Sequence, residues 1–341
     1  MKPRNMEPED GLRDAEIFEL PPETSTGLTF HLPMELVALR NAGAPSETIE
    51  QRKQERLHDA QAEGLTDPPL YRWAIRRYTD TARRLLLGDD SSAARNIQPL
   101  AEGLAGAAFH GLIRLGYGAW QRDEAEIARG LAYLRTRRQV LASRSNSLSS
   151  LGHTDETGLL IRSDLPEPGE RDGVTVFDLL NLAAGTGLCG SPDAHFADTP
   201  RALALAAIAL VRRNPSSFVA VHAATGFHAL CEVELLLSGV APSRHETPRA
   251  NTNPWWSAYA IALQACTLLV ESAAPDALPG YDEGYGVVTD IESLVTASIQ
   301  SDDTHDVKLA VALRRLVHFG LLTDTEATEA GIARLTAEQL T

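Results

Sequence analysis

The sequence predicts an all-α protein folded as a single large helical domain. Two observations predict it. Apolar residues recur with the helical period of about 3.6 in segment after segment, while strand-like alternation is scarce. Aromatics make up 6% of the 341 residues, against a hydrophobic share of 43%, and an Ala/Leu-rich interior suits packed helices better than a β-sandwich.

Each element has a local cause. Residues 1–30 are Pro- and Glu-rich and aperiodic, and read as an extended arm; 31–341 form the helical domain. A helix opens near Pro33, a residue suited to a first turn, and Asn41-Ala42-Gly43 ends it. Ser46 caps the next, charged helix, which runs to about Ala62 with Glu50 closing a capping box and a solvated face. Another helix covers about Leu70 to Leu87. Ser91 or Ser92 opens one that continues into the segment around His110. Asp123 caps an amphipathic helix through Leu134, with acidic residues in its first turn.

Composition changes at 143–200, first Ser-rich and then rich in Pro, Gly and Asp, which reads as a loop or lid with a short β piece near 159–161. Helices return at about 201–213 and 217–237, separated by Pro215, and again from Pro254 to about 271. A turn-rich loop at 275–286 precedes two or three final helices. One of these is capped by Asp302 or Asp303 and carries His305 and Lys308.

Charge and cysteine content exclude several function classes. A formal net charge of -15 without a Lys/Arg block opposes nucleic acid and anionic membranes as partners. Met1 to Asp10 lacks the apolar core of a signal peptide, and no uninterrupted apolar run reaches the length of a bilayer span. Cys189, Cys231 and Cys266 have neither disulfide nor zinc-site spacing, and the last two read as small buried thiols. A reduced, cytoplasmic location is the expectation. No P-loop, Rossmann fingerprint, GxSxG or HExxH is present.

Candidate chemistry lies in histidines set in apolar helices. At about 100° per residue, His110, Arg114 and Tyr117 share one helical face. Polar groups in such a helix are costly unless partnered. His222 is flanked by Ala223, Ala224 and Gly226, which leave volume for a metal or for a neighbouring helix. His228 lies about 240° around from it, so both cannot face one centre. His31 stands at a helix entry and His305 in a first turn. Helices of a bundle can bring such side chains to one metal site, and imidazole suits iron, zinc, copper and nickel. Lys308 lies on the His305 face among Val307, Leu309, Ala310 and Val311. It is either a snorkelling surface lysine or a buried amine; a buried, neutral amine can capture carbon dioxide as an anionic carbamate.

Five segments in order carry a resemblance: Phe30–Leu39, Gly106–Tyr117, Glu126–Leu134, Val221–Gly226 and Asp302–Lys308. Together they resemble the questin oxidase-like family, helical proteins of oxidative tailoring and ring cleavage of aromatic polyketides. The resemblance implies a mononuclear non-haem Fe(II) centre with His31, His110, His222, His305 and carboxylated Lys308 as ligands. It implies dioxygen as cosubstrate, with NADPH as a candidate external reductant. Arg114 and Tyr117 become catalytic candidates, and Trp255, Trp256 and His228 candidate contacts for a small, polycyclic, hydroxylated aromatic substrate. Phe30 stands where a small polar residue is usual. Two other readings remain: a His-Asp phosphohydrolase using His58-Asp59 and His305-Asp306, and a non-catalytic helical binding protein.

Overall fold

The computed structural model describes residues 14–88, 91–141, 153–154, 160–161, 200–239, 254–270 and 288–338. Among the described residues there are thirteen α-helices, one 3₁₀ segment and two minimal two-stranded sheets, so the fold is all-α as predicted. Apart from its β piece, the lid read at 143–200 lies outside the described residues, as do Cys189 and the loop at 275–286.

In chain order the elements begin with α1 (Asp14–Phe18), β1 (Glu23–Thr24), α2 (Leu32–Ala42), α3 (Ser46–Glu63) and β2 (Leu65–Thr66). They continue with α4 (Tyr71–Leu87), α5 (Ser91–Ile97), the 3₁₀ segment Gln98–Gly103, α6 (His110–Gln121) and α7 (Glu124–Thr136). β3 (His153–Thr154) pairs antiparallel with β4 (Leu160–Ile161), where the sequence suggests a β piece. The remaining helices are α8 (Pro200–Arg213), α9 (Phe218–Leu237), α10 (Pro254–Leu269), α11 (Ile291–Ser298), α12 (Thr304–His318) and α13 (Asp324–Glu338).

Four helices form the ring that matters for function. α2 packs on α6, α6 on α9, α9 on α12, and α12 back on α2. Close approach within the ring needs missing side chains. A Cβ on Gly116 of α6 would stand 2.5 Å from the Cα and Cβ of Ala229 on α9. Helix α7 closes on the outer side of α6. The first turn of α7 is capped by Asp123, which accepts from the N–H groups of Ala125 and Glu126.

Several boundaries differ from the sequence reading. The extended arm is partly folded: α1 and β1 lie within it, and β1 pairs with β2. Ser46 lies inside α3, whose N-cap is Pro45 without a side-chain cap. Glu50 accepts instead from Lys53 and Gln54. The face of α3 read as solvated buries Arg52, which donates to the carbonyls of Ser301 and Asp302. The continuous helix read from Ser91 or Ser92 into His110 is broken. Pro99 lies in the 3₁₀ segment, and Ala107, Ala108 and Phe109 take left-handed φ of 52°, 50° and 65°. Finally, α9 is long and apolar enough to cross a membrane, with mean hydropathy 1.2. Even so, 94% of that window is buried inside the protein, as befits a core helix.

Candidate metal centre

Each helix of the ring contributes one imidazole. His31 is the N-cap residue of α2, yet its side chain makes no cap hydrogen bond. His110 is the first residue of α6, His222 lies one turn into α9, and His305 is in the first turn of α12. Three of the four histidines thus sit at helix starts, where the four N-termini converge.

The nitrogens are close. Nε2 of His110 lies 2.6 Å from Nε2 of His31 and 2.9 Å from Nε2 of His222. One ligand nitrogen each from His31, His222 and His305 falls within 4.8 Å of the others. With metal–nitrogen bonds of about 2.1 Å, adjacent ligand atoms of an octahedron are about 3 Å apart. The spacing therefore suits one ion.

The outer ring nitrogens fix the tautomers. Nδ1–H of His110 donates to the Ala107 carbonyl, set by the left-handed turn before it. Nδ1–H of His222 donates to the Phe218 carbonyl at 2.7 Å. Nδ1–H of His305 donates to Oδ1 of Asp303 at 2.6 Å. In each ring the proton is on Nδ1, so Nε2 presents a lone pair. His110 and His222 then face each other lone pair to lone pair, an arrangement that a bound cation relieves. Nε2 of His305 is buried without a hydrogen-bond partner among the described residues. These orphaned acceptors fit a divalent transition metal, and His31, His110, His222 and His305 are the residues that would hold it.

Burial, then the nearby Lys308 charge, lowers the pKa of His31, His110 and His305; for His222 the other imidazoles precede the lysine. Lys308 is itself 2% exposed, and burial pushes its amine down to about 8. The buried alternative for this lysine is therefore the one realised. Glu35 and Asp303 act on it through space, but among the described residues no carboxylate lies within ion-pair distance of it.

The surroundings contain residues that the sequence reading missed. Phe218, 38% exposed, lies over His222 at 3.8 Å between ring centroids and edge-on to His305. Its place four residues before His222 on one helix was the available signal. Asp303 caps α12 and orients His305 at once. Arg334 of α13 donates to the other oxygen of Asp303, to Asp306 at 2.8 Å and to the Pro215 carbonyl before α9.

Other sequence-derived site residues are placed elsewhere. Arg114 makes a two-pronged ion pair with Glu126 at 2.9 and 3.1 Å, and also donates to Tyr71 and to the Phe18 carbonyl. Tyr117 meets Trp120 and His228, none of the four imidazoles. The shared helix face misled here. Rising about 1.5 Å per residue, a stripe leaves its first member about 6 Å behind at Arg114 and about 10 Å behind at Tyr117. His228 sits 3.5 Å from Glu232, which also accepts from Arg315 at 2.6 Å, and so belongs to a separate buried cluster. Trp255 and Trp256 are buried; Trp256 donates to Glu234 and packs on Phe227. None of these three has a described contact with the imidazoles. His58 and Asp59 are exposed on α3, while Asp306 is turned to Arg334 and Ser301, so the two His-Asp pairs do not meet. Compared with protein-family models, curated proteins and solved structures, the chain matches none.

Proposed function

We propose that the chain is a mononuclear non-haem iron oxygenase. It would act on a hydroxylated aromatic of the polyketide kind, with dioxygen as cosubstrate, by oxygen insertion or ring cleavage. Any reductant, such as NADPH, would come from solution. The observation that carries the reading is the mutual approach of unprotonated Nε2 atoms whose Nδ1 partners are already engaged. Bound there, ferrous iron would supply dioxygen activation beside an electron-rich ring.

The chain's own residues perform the rest. The carbonyls of Ala107 and Phe218 and the carboxylate of Asp303 hold three imidazoles in the ligating tautomer. Phe218 covers the imidazoles on one side and limits water. The Lys308 amine, lowered to about 8, has a neutral fraction at neutral pH. Its Nζ lone pair can bond to the carbon of carbon dioxide, releasing one proton and leaving a carbamate anion. That reaction replaces a cation among metal ligands with an oxygen donor, completing the set of His31, His110, His222, His305 and Lys308.

The test is metal analysis of protein purified without air, beside His222→Ala and Lys308→Ala. Iron at one per chain, lost in His222→Ala and reduced in Lys308→Ala, supports the reading, as does oxygen uptake with a polyhydroxylated aromatic. Iron content indifferent to both substitutions overturns the ligand set.

A further inference from the structure

A cleft of about 240 Å³ adjoins the histidine cluster, between the segment leading into α2, the second half of α3 and the start of α12. His31 stands in its wall, so the cleft adjoins the imidazole cluster on its outer side. Its apolar side is formed by Phe30, Leu32 and Ala60. Phe30, the residue out of keeping with the family resemblance, is thus an aromatic wall beside a ligand.

The polar side is acidic. Asp59 and Glu63 line it, are exposed, and form no ion pair among the described residues. The one cation lining it among the described residues, Arg56, is already engaged by Glu35 at 3.2 Å and by the Asp302 carbonyl. An anionic ligand therefore meets uncompensated negative charge, in a molecule that carries -15 overall. A hydroxyl donor meets free carboxylate acceptors. Thr304 adds a further group: it lines the cleft, is 9% exposed, and its hydroxyl has no hydrogen-bond partner among the described residues.

Size narrows the occupant. A cavity of about 150 Å³ holds benzene, so this one holds one or two fused rings, and a larger polycycle would project from it. We infer that the cleft is a subsite for a non-anionic, hydroxylated aromatic of one or two fused rings, an inference whose purpose rests on the oxygenase reading. The hydroxyl groups face Asp59 and Glu63, Phe30 stacks on or abuts the ring, and the inner edge lies toward His31.

The experiment is calorimetric titration of the full-length, iron-loaded protein under argon. The probes are a naphthalenediol and its sulfonated analogue, with iron content measured on the same samples. The diol is expected to bind about ten-fold more tightly than the sulfonate. The Asp59→Asn/Glu63→Gln double variant, altered at two exposed positions, should bring the two affinities together. Thr304→Val should weaken the diol about three- to ten-fold, with Thr304→Ser restoring it. Equal affinities in the unmodified protein, a ratio unmoved by the double variant, or no binding of the diol would each overturn the inference. Intact iron with no selectivity removes the subsite alone; selectivity without iron removes the oxygenase reading alone.

Discussion

Lys308 shows how one residue's meaning depends on its surroundings. A buried ammonium without an adjacent carboxylate costs free energy in the metal-free protein, and Glu35 and Asp303 offset that cost only from a distance. Lys308→Met should therefore stabilise the metal-free protein by about 2 kcal/mol while weakening iron retention. Paired chemical denaturation and metal analysis measure both effects. If stability falls in the metal-free state, the lysine has a structural partner and its role as a latent ligand fails. The histidines are different. His110 and His222 were legible because apolar helices reject polar side chains, His31 and His305 by their place at helix entries and by the family resemblance, and the four do meet. Arg114 was equally out of place in an apolar segment, but its partner was Glu126, a residue that looked like an ordinary first-turn acid. Sequence alone distinguishes a ligand from a buried ion pair poorly, because both appear as isolated polar residues among apolar ones.

At the scale of elements, the site depends on how closely helices approach and on what ties their ends. Gly116 lets α6 lie against α9, the helices of His110 and His222. Gly116→Ala should destabilise the fold by about 1–3 kcal/mol, because the contact is with backbone as well as side chain. Thermal unfolding measures the loss, and a neutral result would show that the two helices can part freely. Arg334 joins the start of α12 to the turn before α9 through Asp303, Asp306 and the Pro215 carbonyl. With Asp303 replaced by Asn, the carboxylate acceptor of His305 Nδ1–H is lost while the cap can persist. Iron affinity in Asp303→Asn should fall about 10–100-fold, measured by competition with a chelator. Unchanged affinity would assign Asp303 to capping alone. The caps at Asp123 and Gly43 followed from local sequence, since each needs one side chain or one flexible residue in the right place. The break before His110 did not. Three left-handed non-glycine residues in a row have no local preference for that shape and are held by the packed structure.

Among the described residues, two of the buried polar centres share helices α6, α9 and α12. One is the histidine cluster; the other joins His228 and Glu232 of α9 to Tyr117 of α6 and Arg315 of α12. Burial alone would raise the Glu232 carboxyl, but His228 and Arg315 outweigh it and hold the group below its usual 4.5. A carboxyl lowered in the folded state contributes stability above the unfolded value that is lost as pH falls through the folded one. The melting temperature should decline below pH 4.5, and Glu232→Gln should flatten that decline. An unchanged acid limb in the variant would place the acid sensitivity elsewhere.

By itself the sequence determined the helical class, most helix boundaries, the burial of Cys231 and Cys266, and the set of imidazoles that needed partners. Periodicity, capping and the cost of burying polar groups act over a few residues, and all of these features are written locally. The tertiary structure decided the partners: which polar residues meet one another, that Arg114 is spent on Glu126, and that the cleft opens beside His31. Those outcomes depend on the relative height and rotation of helices far apart in the chain, which residue spacing within any one helix does not specify.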